Sequence, residues 1–206
     1  MSNVCIFGET TYSAHGRTSV SFDGNPSNVY AGAVGVYPGN SVTGFQGIPV
    51  SSDRAAKFAD HAQADHTALS NVDTPSDDKM GGAVEMGGAT FTPGVHRAET
   101  SITVTVNTQV TLEGAGDYLF QAGTTLTTGA DTSVVLKNAD GTAGDPDAFN
   151  IVWVLGTGAT LGARSILPGS INAGTAVTIG SEAGVTGCAI AQTAVTFENN
   201  GCASCP

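Results

Sequence analysis

Short apolar segments alternate with Gly and Thr through the last quarter of the chain. Thr175-Ala176-Val177-Thr178-Ile179 and Thr193-Ala194-Val195-Thr196-Phe197 nearly copy each other 18 residues apart. Looser versions stand upstream at Ala159-Thr160-Leu161 and Thr124-Thr125-Leu126-Thr127-Thr128. Each follows another short apolar segment: Tyr118 to Gln121, Ile151 to Val154, Ser170 to Ala173 and Cys188 to Ala191. Strands this short, recurring at this period and broken by glycine, predict the stacked passes of a β-solenoid, each pass bonded only to its neighbours.

Side chains alternate in and out along a strand, so the repeat sorts into three columns. In the first, Leu119, Val152, Ile171 and Ile190 are aliphatic and are expected to point inward. Phe120, Trp153, Asn172 and Ala191 then point outward, and an outward Phe and Trp need a cover. In the second, Leu126, Leu161, Val177 and Val195 point in. That leaves Thr127, Gly162, Thr178 and Thr196 on one outward file, and Thr125, Thr160, Ala176 and Ala194 on another. The third column, near residues 131–136, 164–167 and 182–186, is less regular.

The rest of the chain reads as short strands at 4–7, 19–22, 29–37, 41–45, 89–91 and 102–112, with a loop at 73–88 and an excursion at 137–149. Residues 52–70 form the one long helix. Ser51 or Ser52 caps it, Asp53 suits its first turn, and Ala55, Phe58, Ala59, Ala62 and Leu69 share one side. The outward Phe120 and Trp153 place this helix along the first column.

Composition narrows the function. The chain has 206 residues, 18 acidic against 7 basic side chains and a net charge of −11. That excludes a nucleic-acid or anionic-membrane partner, because few cations are available to meet phosphates. No apolar run has the length of a membrane span. Only 12% of residues are charged and 28 are Gly, which implies a neutral surface of small residues. Cys5, Cys188, Cys202 and Cys205 are even in number and fit disulfides in an oxidising compartment, with the terminal pair stapling the tail. His61 and His66 are five apart, the wrong spacing for two ligands on one helix face. No metal, cofactor or catalytic set is expected. A solenoid lyase would need clustered Asp, Lys and Arg, and the cations here are scattered. An extracellular adhesive or carbohydrate-binding module is the alternative class, with only Tyr12, Tyr30 and Tyr37 as candidate exposed aromatics.

Several ordered motifs carry a family resemblance over residues 29–200. They run from Val34-Gly35-Val36 and Ser41-Val42-Thr43-Gly44-Phe45 through the Ala-rich helix to Thr90-Phe91-Thr92-Pro93-Gly94-Val95. Tyr118-Leu119-Phe120-Gln121, Ser133-Val134-Val135-Leu136, Asn150-Ile151-Val152-Trp153 and Ala189-Ile190-Ala191-Gln192-Thr193-Ala194-Val195-Thr196 continue them. The chain resembles the microbial ice-binding proteins. The resemblance implies a mainly β fold: a right-handed three-sided β-solenoid of one domain, residues 1–206, with the helix packed along one side and C-terminal passes over about 101–200. It implies a secreted monomer that adsorbs to ice or ordered water and inhibits crystal growth and recrystallisation, with no enzyme activity. Two faces compete for the contact. Regular Thr files favour the second column, through Thr125, Thr127, Thr160, Thr178 and Thr196. The family's Thr-small-x-polar turn pattern favours the third, through Thr128, Ala130, Thr132, Ser165 and Ala183.

Overall fold

The computed structural model describes residues 12–23, 33–36, 39, 41–43, 63–72, 79–199 and 202–203. Their strands pair in parallel and fall into three sheets of eight, eight and six strands. From Lys79–Gly81 onward, each pass of the chain gives a strand to the first sheet, then the second, then the third. Thr160 pairs with Thr178 and Thr178 with Thr196, which is the 18-residue repeat seen in the sequence.

The order in space is not the order in sequence. Tyr12–Gly16 and Ser19–Asp23 stack on the last pass, with Ala14 opposite Ala189 and Ser19 opposite Ala194. Ala33–Val36 and Ser41–Thr43 stack outside them. The described segments before residue 44 therefore lie at one end of the stack, and from residue 79 the chain runs from the opposite end back to meet them. Part of the expected 73–88 loop is thus strand, as Lys79–Gly81 and Val84–Glu85. The expected 102–112 strand is two, Ile102–Val104 and Gln109–Glu113, divided at Asn107, whose φ is +59°. The expected strand at 4–7 lies outside the described residues.

The interior is a column of large side chains. In the first sheet Phe120 lies opposite Trp153, and Trp153 opposite Ile171. All three are fully buried. The Phe120 and Trp153 rings stack with centroids 4.3 Å apart, and the Trp153 Nε1–H donates to the Pro168 carbonyl at 2.9 Å. His96 and Phe91 extend the aromatic cluster, with centroids 5.2 and 5.4 Å from Phe120. The expected parity of this sheet is thereby corrected. Phe120, Trp153 and Ala191 point inward, while Leu119, Val152 and Ile190 point outward and are half-buried. Ile171 is inward as expected.

The helix does lie on the first sheet, over a different file. Its described part, 63–70, stands against the outward Gln121, which is 4% exposed. The Gln121 Nε2 donates to the Leu69 and Val72 carbonyls at 2.6 and 3.1 Å, at the end of the helix where carbonyls lack partners within the helix itself. His66 Nε2 lies 3.0 Å from the Leu155 carbonyl oxygen. The described helix therefore lies against Gln121 and Leu155, on the outward file in which Val154 and Asn172 are also buried, and not over the two aromatics. Residues 52–62 of the expected helix lie outside the described residues.

Cys188 is disulfide-bonded, and no described cysteine is free. The side chains of Cys5, Cys202 and Cys205 lie outside the described residues.

Candidate functional site

The second sheet carries the most regular surface. Thr43, Ser21, Thr196, Thr178, Thr160, Thr127 and Thr103 are partners in unbroken register across seven strands. Each of their neighbours along the strand points inward, as with Val20, Ile102, Leu126, Val177 and Val195, all fully buried. The hydroxyl file therefore faces outward. Its rungs repeat at about 4.8 Å, the spacing of parallel strands, so seven rungs span about 29 Å. Threonine suits the position because a β-branched side chain is stiff at χ1 and favours strands. The expected alignment is corrected at one strand. Ala159, not Leu161, shares the register of Leu126 and Val177. Thr160 therefore belongs with Thr127, Thr178 and Thr196, and Gly162 leaves the file.

A second outward file lies two residues earlier: Ser41, Ser19, Ala194, Ala176, Gly158 and Thr125. These residues are small and form a shallow trough about 6.7 Å from the first file. A third file stands at the turn that enters the sheet. The backbone N–H of Thr18 bonds Thr193, Thr193 bonds Thr175, Thr175 bonds Thr157, Thr157 bonds Thr124, and Thr124 bonds Thr100, each to a carbonyl at 2.6–2.7 Å. Thr100 in turn bonds Gly82. All six threonine side chains are exposed. This file was missed in the sequence, although its signal is present: Thr-small-aliphatic-Thr or -Ser recurs at 18–21, 100–103, 124–127, 157–160, 175–178 and 193–196.

Arc length onto the face is constant across five passes. Arg97 and Thr103, Gln121 and Thr127, Val154 and Thr160, Asn172 and Thr178, and Ile190 and Thr196 occupy equivalent places in the two sheets, six residues apart. The arc leaving the face is also fixed, from Thr127 to Ser133, Thr160 to Ile166 and Thr178 to Gly184. Across these passes the excursion 138–148 falls in the arc from the third sheet back to the first. At the ends of the stack the other arcs differ as well: Gly35 and Thr43 are eight residues apart, and Glu85 and Thr90 are five apart where Thr103 and Thr111 are eight. Glycines set both long edges. A Cβ on Gly123, Gly156 or Gly174 would come within 2.0–2.3 Å of a carbonyl oxygen in the next pass. One on Gly129, Gly162 or Gly180 would come within 2.4–2.5 Å of its backbone. No real Cβ fits there, so these turns stack closely only as glycine.

The third-column candidates lie inside. Thr128, Thr132 and Ser165 are 4%, 4% and 1% exposed, and Ala183 is 0%. Their hydroxyls close the turn between the second and third sheets. Thr132 Oγ1 donates to the Gly129 carbonyl and Ser165 Oγ to the Gly162 carbonyl, while Thr128 Oγ1 accepts from the Gly162 N–H at 3.1 Å. These four side chains cannot touch a flat external ligand, which corrects the expectation. Ala130 sits half-exposed on the same turn.

Charge lines the far edge of this turn. Asp131, Arg164 and Glu182 hold left-handed φ values of +57° to +59° in successive passes. Arg164 grips Asp131 through two hydrogen bonds of 2.6 and 2.7 Å. That bond holds the Asp131 carboxyl below its ordinary range. Arg164 and Glu182 therefore stand on the corner, beside the threonine face rather than on it.

Among the described residues, no three His, Cys, Asp or Glu side chains group as metal ligands. No described helix is long and apolar enough to cross a membrane.

The family model for ice-binding-like proteins matches residues 14–203. An ice-binding protein of Nostoc sp. (strain HG1) is 34% identical over 157 residues, 71% of this chain and 54% of that protein. One of Lentinula edodes is 30% identical over 173 residues, 71% of this chain and 57% of that protein. The chain thus spans about half the length of the curated relatives it matches. Among solved structures, an ice-binding protein from the Antarctic ascomycete Antarctomyces psychrotrophicus superposes with a TM-score of 0.74 at 24% identity, covering 91% of each chain. One from an Antarctic biological consortium reaches 0.79 at 22% identity, covering 95% of this chain and 87% of that one. By the extent of the family match and the identity to these relatives, the chain belongs to the ice-binding-like family.

Proposed function

We propose that this protein adsorbs to ice through the outer face of the second sheet, and thereby inhibits crystal growth and recrystallisation. The observation that carries the reading is the in-register hydroxyl file of seven rungs, flanked by the small-residue trough and the turn threonines. Each Thr offers a hydroxyl to bond water and a methyl to order it, on a side chain with little rotamer freedom to lose. Stacked strands hold these groups on a lattice that water can match over a large area. Adsorption needs no bond-making, so the protein is read as a binding protein without catalysis or cofactor.

The same reading takes the three sheets as the sides of one right-handed three-sided β-solenoid, a single domain with the helix along the first side. It takes the contact residues as Thr125, Thr127, Thr160, Thr178 and Thr196, joined by Thr103, Ser21, Thr43 and the turn threonines. The disulfide at Cys188 favours an oxidising, secreted setting. The monomeric state is part of the proposal. A carbohydrate-binding module fits less well, because among the described residues the face carries no aromatic side chain for a sugar ring to stack on. Ice grown in dilute protein tests the reading. Faceted crystals and a gap between melting and growth temperatures are expected, and round crystals with no gap would refute it.

A further inference from the structure

The hydroxyl file ends abruptly. The eighth strand of the second sheet, Val84–Glu85, places Glu85 in register with Thr103. Its tetrapeptide Gly82-Ala83-Val84-Glu85 aligns with Thr100-Ser101-Ile102-Thr103, so both threonine positions of the motif are replaced. The Glu85 carboxylate bends back along the edge. Its Oε1 accepts the N–H of Gly87 and that of Thr105, both at 2.8 Å. In the next passes the backbone positions equivalent to Thr105 bond a main-chain carbonyl instead: Gly129 to Val104, Gly162 to Thr128 and Gly180 to Leu161. Glu85 thus stands in for a carbonyl acceptor at the last strand, and leaves a full charge beside Thr103. Charged carboxylates bind water strongly and orient it about themselves. Ice seated there would have to strip or reorder that shell.

Resting on the ice-contact reading above, we propose that Glu85 is an anionic stop that ends the ice-contact face at this strand. It satisfies the edge and denies ice the eighth rung. Two variants test it. Glu85→Gln keeps the acceptor oxygen for Gly87 and Thr105 and removes the charge. The double variant Gly82→Thr with Glu85→Thr writes Thr-Ala-Val-Thr, the tetrapeptide of residues 175–178 and 193–196. Gly82 has open space where a Cβ would stand. Thermal hysteresis is measured at equal protein concentration beside a melting curve for each. Glu85→Gln is expected to exceed wild type. The double variant is expected to exceed it by about a seventh, the share of one added rung at uniform strand spacing. If the double variant melts early, Glu85→Gln alone decides. An active wild type with Glu85→Gln folded and no more active overturns the stop and leaves the ice face standing. A wild type without hysteresis overturns the ice reading and the stop together.

Discussion

Thr178→Tyr at the middle of the hydroxyl file is the sharpest perturbation of the proposed face. Three rungs lie on one side of Thr178, at Thr196, Ser21 and Thr43, and three on the other, at Thr160, Thr127 and Thr103. A ring standing above the plane at the centre lets a flat crystal rest on one half only. At most three of the seven rungs stay in contact, so hysteresis should fall by more than half. Stability should hardly change. The position points outward, Tyr is a good strand residue, and surface substitutions usually stay within about 0.5 kcal/mol. That corresponds to a melting shift of roughly 2 °C or less for a chain of this size. Val135→Tyr, on the half-buried outward side of the third sheet, adds the same bulk elsewhere and should keep full activity. Ala183→Tyr is no substitute control. Its site is fully buried, so the ring would overpack the interior at a cost of about 1–3 kcal/mol or more. The assay is nanolitre hysteresis with circular dichroism melting on the same preparations. Thr178→Tyr that melts like wild type and retains its hysteresis would refute the assignment of this face.

Other outcomes follow from the interior and the edges. Trp153→Ala should cost about 3–5 kcal/mol, because it empties the centre of the aromatic stack and orphans the Pro168 carbonyl; denaturant melts would read it. Reducing the Cys188 disulfide should lower stability by about 2–4 kcal/mol, read as a fall in melting temperature with added dithiothreitol. Burial alone would raise the Glu85 pKa, but the hydrogen bonds from Thr105 and Gly87 outweigh it, and the carboxyl lies below its ordinary 4.5. Its stabilising contribution is therefore complete above that ordinary value and lost as pH falls through the lower folded value. Acid melts should show Glu85→Gln with a shallower pH dependence than wild type in that window.

How much was legible in the sequence depended on what covers each sheet. The second sheet has solvent on one side, so Thr127, Thr178 and Thr196 alternate cleanly with Leu126, Val177 and Val195, and the pattern reads directly. The first sheet is covered on both sides. Tyr118-Leu119-Phe120-Gln121 and Ile151-Val152-Trp153-Val154 are apolar at both parities, so alternation says nothing, and a slip of one residue exchanges inside for outside. The need for a cover on that sheet was read correctly from the wrong aromatics. The third-column error has another cause. Thr128, Thr132 and Ser165 look like surface residues, and only the three-dimensional turn shows their hydroxyls bonded to backbone groups. The register of Thr127 with Thr160 was hidden by the inserted residues 138–148. The stacking of Ser19–Asp23 on the last pass joins distant parts of the chain, which a local pattern does not report.

Uptake of the fluorescently labelled wild-type protein into slowly grown ice, beside labelled Thr178→Tyr, tests the central claim most directly. The account predicts wild type concentrated in the crystal and the folded variant left largely in the liquid. Equal exclusion of both, or equal incorporation of both, would contradict it.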